Sequence, residues 1–538
     1  RNREDQGSEV SQLKSNPVMP SIDGPKESGK RVDAVASAGA AVLALSAIGF
    51  LGLLIRDLLL VKGISIGAHL DAYFTATMLP MFLVSFLSQP IADSFIQPFI
   101  ACYDSGTDRA GASRQFVGSV VSFVCIVCAV GSLPFWLFPE AILSLFHKDI
   151  DMTEAAFMLR AFTVIFLFSG IAVVGNASLN ALQQSGTAAV AQLVVPFTAI
   201  TSILFWDTQR PSYSAIFGMI LGQILNIAWV WYALGKKGVT LFPGRIIQSP
   251  VFSRMRSNYV VLSAVSFLSV SLTPINYAFA GALDHGSLSV WAMGNKMTLL
   301  FVNVGAVIIT SVLLPHLAKL ISRGESNLFK GDVFFLFSIG SFASFLMSFV
   351  IFVFSEPLFF ALFDGNNFSI EQTQRLVWVL RMGCLQLPFL FASTMCLKLT
   401  AISKVTVQIV LISIMGLFIN VLLDFSLIHS FGVLGVAIAS VAATACSATL
   451  LLLSVRRRCG LSLVECGALV LSWWLVSIAA LGFYLHRPGM VAVCLTGVAS
   501  AFGLQAVLWY KHQKRFTLPT DSIQAVPIEG GNTPANTL

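Results

Sequence analysis

Charge is what this sequence has least of. Only 11% of its 538 residues are charged while 56% are hydrophobic, and the mean hydropathy is +0.82. A soluble chain of this size needs far more charge to cover its surface, which excludes a water-soluble globular protein. Catalytic signatures are missing as well: there is no Gly-rich phosphate loop with Lys-Ser/Thr, no H-E-x-x-H and no G-x-S-x-G elbow. No polar stretch is long enough for an ATP-hydrolysing domain. These absences point away from an enzyme. Any uphill movement must then draw on an ion gradient or the membrane potential, worth about 2.3 kcal/mol per charge per 100 mV. Cysteines are scattered, and the one C-x-x-C, Cys125 and Cys128, has no His or second pair beside it. Zinc needs four ligands, so the pair reads as small apolar filler, and neither metal nor cofactor is expected.

What the chain does have is a series of apolar windows of about 20 residues, each long enough to cross the roughly 30 Å hydrocarbon layer as a helix. They do not alternate apolar with polar, which excludes a membrane barrel. The pattern predicts an all-α polytopic membrane protein with fourteen spans, near 34–55, 72–101, 116–137, 157–183, 187–206, 213–235, 258–281, 290–317, 332–354, 376–398, 405–424, 431–454, 466–485 and 489–510. Residues 1–33 and 516–538 are polar and loose in composition and read as disordered cytoplasmic tails. The net charge of +7 follows the same alternation: with the N-terminus inside, 24 of the 33 Lys and Arg fall in cytoplasmic segments. The opposite loops carry Glu140, Asp151, Glu154, Asp284, Glu356 and Glu371. This is the positive-inside pattern. The basic excess therefore reflects topology, with contact to membrane lipids, and not nucleic acid.

The chain resembles itself at an offset near 220. Ser-x-x-x-Pro at Ser94–Pro98 recurs at Ser311–Pro315, and "LF", an acidic loop and "LR" at Leu145–Arg160 recur at Leu362–Arg381. Six spans separate equivalent points, so the copies share one orientation about an axis along the membrane normal. The expected domains are an N-lobe of six spans over 34–235, a C-lobe of six over 252–454, and two added helices over 466–510. Two such lobes around a central cavity suit alternating access.

A charge at mid-bilayer costs about 2.5–3.5 kcal/mol on insertion scales, so intramembrane polar groups mark a bundle interior or a wet cavity. The candidates are Arg56, Asp57, Asp71, Asp93, Arg160, Lys296 and Arg381, with Gln89, Asn176, Asn180, Asn276, Asn295 and Asn303 behind them. Asp57 reads as a helix cap or interfacial group, and Arg160 and Arg381 as interface anchors. Arg56 and Asp71 divide evenly between such roles and function. Lys296 sits well inside span eight, and Asp93 lies between Pro90 and Pro98 of span two, where it would pair with a cation or carry a proton. Gln89 and Asn180 are further cavity-polar or ion-coupling candidates, although Asn and Gln more often serve as interhelical hydrogen-bond partners. Gly218-x-x-x-Gly222 and Gly435-x-x-x-Ala439 read as close helix packing.

"RDLLLVKGISIGAHLDAYFTATMLP" with the later "PFIACYDSG", "GSLSVWAMGNKMTLL" and "PLFFALFDGNNFSIEQTQRLVWVLR" resemble the MurJ/MviN-type lipid flippases. "NVLLDFSLIHSFGVLGVAIAS" is similar to a pattern of the wider multidrug/oligosaccharidyl-lipid/polysaccharide exporter superfamily. The resemblance implies a fourteen-span, two-lobed fold that moves polyprenyl-pyrophosphate-linked sugars outward across the bacterial inner membrane, with the last two helices forming a groove for the lipid tail. By the same resemblance Arg56, Asp71, Ser289 and Lys296 fall on substrate-binding positions, Lys296 where the family usually has Arg. Lys keeps the charge but loses the bidentate fork. Departures thin the cationic cluster: Leu79-Pro80-Met81 is not followed by an arginine, Gln89-Pro90-Ile91 replaces "EGA", and no arginine stands near Phe50. The substrate expected is then a polyprenyl-pyrophosphate-linked oligosaccharide, either the repeat unit of an exported polysaccharide, which the thinned cluster favours, or a peptidoglycan-precursor-like lipid, with glycosyltransferases or a polymerase of that pathway as partners. Two other readings stay open, a cation-coupled multidrug antiporter and a transport-inactive scaffold for polysaccharide synthesis.

Overall fold

Where they are described, the apolar runs have become helices, and all the described regular structure is helical. The computed structural model describes residues 25–510 apart from 65–66, 105–108, 147–149, 207–209, 247–248, 309–325, 364–368, 404–405, 485–495 and 509. The first lobe holds α1 (Pro25–Ile64), α2 (Ala68–Asp104), α3 (Arg109–Leu137), the short α4 (Pro139–Leu143), α5 (Met152–Ala181), α6 (Ser185–Phe205) and α7 (Pro211–Gly235). There follow α8 (Pro250–Val270), α9 (Leu272–Gly281), α10 (Ser287–Ile308), α11 (Ser326–Phe363), α12 (Ile370–Cys384), α13 (Leu387–Ser403), α14 (Thr406–Phe431), α15 (Val433–Cys459) and α16 (Leu463–Tyr484). A last apolar helix, α17, covers Thr496–Leu508.

Among the described residues, eleven helical stretches are long and apolar enough to cross a membrane. The other three expected positions hold α10, the apolar stretch Leu463–Ala479 of α16, and α17. The protein is thus an all-helical, multi-span membrane protein. Helix α1 begins at Pro25, inside the segment expected as a tail, with proline at the one helical position where its missing N–H costs nothing. The remaining tail residues, 1–24 and 516–538, lie outside the described residues, as does the second Ser-x-x-x-Pro repeat.

Local chemistry fixes many helix starts. Asp151 accepts from the backbone N–H of Thr153 and Glu154 at the start of α5. Ser249 caps α8 ahead of Pro250, and Ser369 with Gln372 forms a capping box on α12. Each satisfies N–H groups that the helix itself leaves open. The Gly218/Gly222 pair does bring helices together: a Cβ on Gly218 would lie 2.7 Å from the Ala199 Cα of α6.

Loops and helix ends at one side of the bundle carry Lys236, Lys237, Arg245 and Arg456, and those at the other carry Glu140, Asp151, Glu154 and Glu371. These are the basic and acidic ends. At the acidic end a single apolar core joins both lobes, running from Leu60, Leu70 and Phe162 of the first to Leu288, Leu380 and Val436 of the second. At the basic end the core divides. One part holds Phe95, Val120, Val174 and Leu234 of the first lobe, and a separate one holds Phe334, Phe389, Leu452 and Trp473 of the second. The lobes are therefore packed together at the acidic end and have independent cores at the basic end.

The seventh span, Pro250–Gly281, is shared between them. Phe252, Met255 and Tyr259 of α8 enter the first lobe's core, and Phe267 packs edge-on against Phe82 and Phe86 of α2. After Ser271, α9 turns to α14 and α15 of the second lobe, with Asn276 donating to Ser440 at 2.7 Å. The connecting segment ahead of α8 is pinned to α3. Gly244 donates to the Gly118 carbonyl at 3.0 Å, a close approach in which a Cβ on either glycine would stand 3.3 Å from the other's backbone. Ser119 and Ser122 hold the carbonyls of Arg245 and Gly244.

Candidate functional site

Arg56 lies eight residues before the acidic end of α1 and Lys296 nine residues into α10, so both sit roughly 12–14 Å in from that end at 1.5 Å per residue. They come from opposite lobes and meet at one carboxylate. The Arg56 guanidinium donates from Nε and Nη2 to Asp57 Oδ1 at 3.0 and 2.7 Å. Its Nη1 reaches only the Met219 sulfur, at 3.3 Å. Lys296 Nζ stands 3.2 Å from Asp57 Oδ2 and 4.2 Å from the centre of the Phe74 ring. This is an ion pair without a well-aimed hydrogen bond: the ammonium is covered and has no directional acceptor among the described residues. The Arg56 and Asp57 side chains are 8% and 5% exposed and that of Lys296 is 26% exposed, so the lysine stem borders accessible space while the carboxylate does not. Burying two cations is tolerable only with such a partner.

Asp57 is thus no helix cap, because α1 continues past it to Ile64. It is the hub of the charged cluster. Asp71 and Ser289, both expected to bind substrate, satisfy each other instead. Asp71 Oδ2 accepts from the Gly286 backbone at 2.6 Å, and Oδ1 accepts from the Ser289 backbone at 2.8 Å and from the Ser289 hydroxyl. A carboxylate of α2 therefore caps the N-terminus of α10, where the helix dipole favours negative charge, and ties the lobes at the acidic end.

The other candidates are dispersed. Asp93 is exposed on the basic half of α2, and Asn180 is exposed at the end of α5. The side chain of Gln89 lies outside the described residues. Arg160 is exposed, but its repeat partner Arg381 is buried. Arg381 bonds Glu356 at 2.9 Å and the Phe352 carbonyl at 3.0 Å, with its guanidinium over the rings of Phe352 and Trp378. Asn176 is buried with its Oδ1 unpaired among the described residues.

Two features escaped the sequence reading. The Tyr73 hydroxyl is buried, lies within electrostatic reach of Arg56 and Asp57, and has Thr77 beside it but no well-formed hydrogen bond among the described residues. Asn420 and Asp424, one turn apart on α14, are both 0% exposed, and none of their side-chain oxygens or nitrogens has a described partner. Asp424 stands seven residues from the acidic end of α14, as Ser440 does on the neighbouring α15, which brings it to the depth of the Asn276–Ser440 bond. Asn276 Oδ1 is likewise unpaired among the described residues. A lone acid inside "NVLLDFSL" was the available signal.

Comparisons with known proteins agree with this architecture. The family model described as "Lipid II flippase MurJ" matches residues 62–513. A probable lipid II flippase MurJ of Bdellovibrio bacteriovorus is 24% identical over 488 residues, covering 84% of this chain and 92% of the relative. One from Rhizobium meliloti is 24% identical over 375 residues, covering 66% and 67%. Among solved structures, a lipid II flippase MurJ in an inward closed conformation superposes with a TM-score of 0.65 at 18% identity, covering 88% of this chain and 99% of that one. An inward-facing MATE-family multidrug transporter of the MOP superfamily gives 0.60 at 15% identity, covering 78% and 98%. The chain belongs to the MurJ lipid II flippase family.

Proposed function

We propose that this protein flips a polyprenyl-pyrophosphate-linked oligosaccharide, the repeat unit of an exported polysaccharide, from the inner to the outer leaflet of the bacterial cytoplasmic membrane by alternating access. Family membership supports transport of a lipid II-like, lipid-linked precursor, and the basic loops support a cytoplasmic basic end with both termini inside. The observation that carries the reading is the meeting of Arg56 and Lys296, one from each lobe, in a buried site below a sealed acidic end. A pyrophosphate needs cations and donors in a low-dielectric setting, and lobes with separate cores at the basic end offer it a way in. The polyprenyl tail would stay in lipid along α16 and α17. Phe502 of α17 packs on Phe342 and Phe345 of α11, and Gln505 bonds Ser472 of α16 at 3.1 Å.

Asp424 with Asn420 supplies a dry, unneutralised acid suited to a proton or a monovalent cation, and hence to drive the cycle from a gradient. The same group is what favours cation-coupled drug antiport as the second reading. Vesicles holding the full-length protein and a fluorescent polyprenyl-pyrophosphate oligosaccharide separate the two. Transport of the lipid that falls at least tenfold in Arg56→Gln and Lys296→Gln supports the flippase. Wild-type vesicles that move cationic drugs but not the lipid overturn it, and so does a protein that assembles with a glycosyltransferase complex while moving neither.

A further inference from the structure

In the flippase reading, on which this inference rests, Arg56 and Lys296 hold a phosphate and Asp57 has no assigned part. We propose that Asp57 is a resident placeholder for the substrate's phosphate: it occupies both cations while the site is empty, and the entering head group displaces it. Its two oxygens are divided as a phosphate's would be, Oδ1 taking Arg56 twice and Oδ2 facing Lys296. The cations are left short of acceptors. A guanidinium offers five N–H donors and an ammonium three. Against these eight stand one carboxylate, a thioether and an aromatic ring, and Lys296 Nζ has no directional bond among the described residues. The Tyr73 hydroxyl, within electrostatic reach of Arg56 and Asp57, adds a further donor. A tetrahedral phosphate has the oxygens to use these donors, and a carboxylate does not.

The position of Asp57 gives the exchange a consequence. Its bond to Arg56 is local to α1, whereas its contact with Lys296 crosses between lobes, alongside the packing of α1 on α10. A head group that takes Lys296 from Asp57 replaces a lobe-to-lobe contact with one made through substrate. The other carboxylate in this region, Asp71, is held by Gly286 and Ser289 and is not exchanged. Asp57 therefore acts as a positioning and affinity-setting residue. It keeps the cations preorganised in the dry site, and its return favours release.

The sign of one variant's effect decides the matter. Calorimetry with inorganic pyrophosphate on the detergent-solubilised full chain should show Asp57→Asn binding roughly tenfold tighter or more, since a competing charge at about 3 Å is gone. The same variant should flip lipid more slowly because release is impaired. A residue that merely holds the two cations in place gives the opposite result, weaker binding in Asp57→Asn, and that overturns the proposal. Lys296→Gln should lose binding in either case. If wild type binds pyrophosphate and Lys296→Gln does not, but Asp57→Asn gains nothing, the placeholder fails while the flippase reading stands; if wild type binds neither pyrophosphate nor lipid pyrophosphate, both fail. Asp57→Glu keeps the charge and provides a second measurement should Asp57→Asn not fold. Pyrophosphate should shift a carboxylate infrared band in the wild type, and that band should move in Asp57→Glu. A pyrophosphate-bound protein with no carboxylate shift also overturns the proposal.

Discussion

Removing the Asp71 carboxylate should open the acidic end. Asp71→Ala deletes acceptors for the Gly286 N–H, the Ser289 N–H and the Ser289 hydroxyl, all at a 0% exposed side chain. Hydrogen bonds to a charged group contribute about 1.5–3 kcal/mol each and are not additive, and a negative charge at a helix N-terminus adds about 0.3–1 kcal/mol. A loss of about 4 kcal/mol is a reasonable total, and at 1.4 kcal/mol per tenfold it shifts the balance between closed and open acidic ends roughly a thousandfold. Asp71→Asn keeps one carbonyl acceptor, loses the charge, and should shift the balance only about tenfold. Spin labels at positions 69 and 371, whose native side chains are 73% and 74% exposed on opposite lobes, report the separation by pulsed electron resonance once reactive native cysteines are replaced. The distance distribution should gain a long component that dominates in Asp71→Ala and is minor in Asp71→Asn. Identical distributions in all three proteins, with only a lower melting temperature in Asp71→Ala, would refute a lobe-joining role and reduce Asp71 to a helix cap.

Asp424→Asn should leave pyrophosphate binding unchanged and abolish any dependence of flipping on an imposed ion or proton gradient; a gradient response equal to wild type counts against Asp424 as the coupling group. Gly222→Val should lower stability by about 2–3 kcal/mol, because a Cβ there already meets the Val195 Cα at 2.7 Å and collides with Thr198 Oγ1. Thermal unfolding in detergent measures this, and an unchanged midpoint would mean that α6 and α7 part at little cost. Arg381→Ala should destabilise the second lobe by about 1–3 kcal/mol, through the Phe352 carbonyl and the two rings more than through Glu356, whose side chain is 48% exposed. Glu356→Gln should therefore cost well under 1 kcal/mol, and equal losses from the two variants would reverse that ranking.

The sequence by itself determined that this chain is helical, where its helices run, and which end carries the basic loops. Those properties are local: apolar length, capping residues such as Asp151 and Ser369, and flanking charge act within one span, and a span cannot leave lipid with its backbone unpaired. The sequence also marked Arg56, Asp71 and Lys296 as groups that lipid would not tolerate. Only the tertiary structure decided what answers each of them. Asp71 finds its donors 215 and 218 residues away, at the start of α10. Asp57 resembles a cap when read along the chain, and becomes the hub because Lys296 arrives from the other lobe. The two repeat arginines, equivalent in sequence, part company for the same reason: Arg381 is buried against the Phe352 carbonyl and Glu356 of α11, while the side chain of Arg160 remains exposed. A helix's periodicity says which face a side chain takes, but its partner is chosen by how helices hundreds of residues apart pack together.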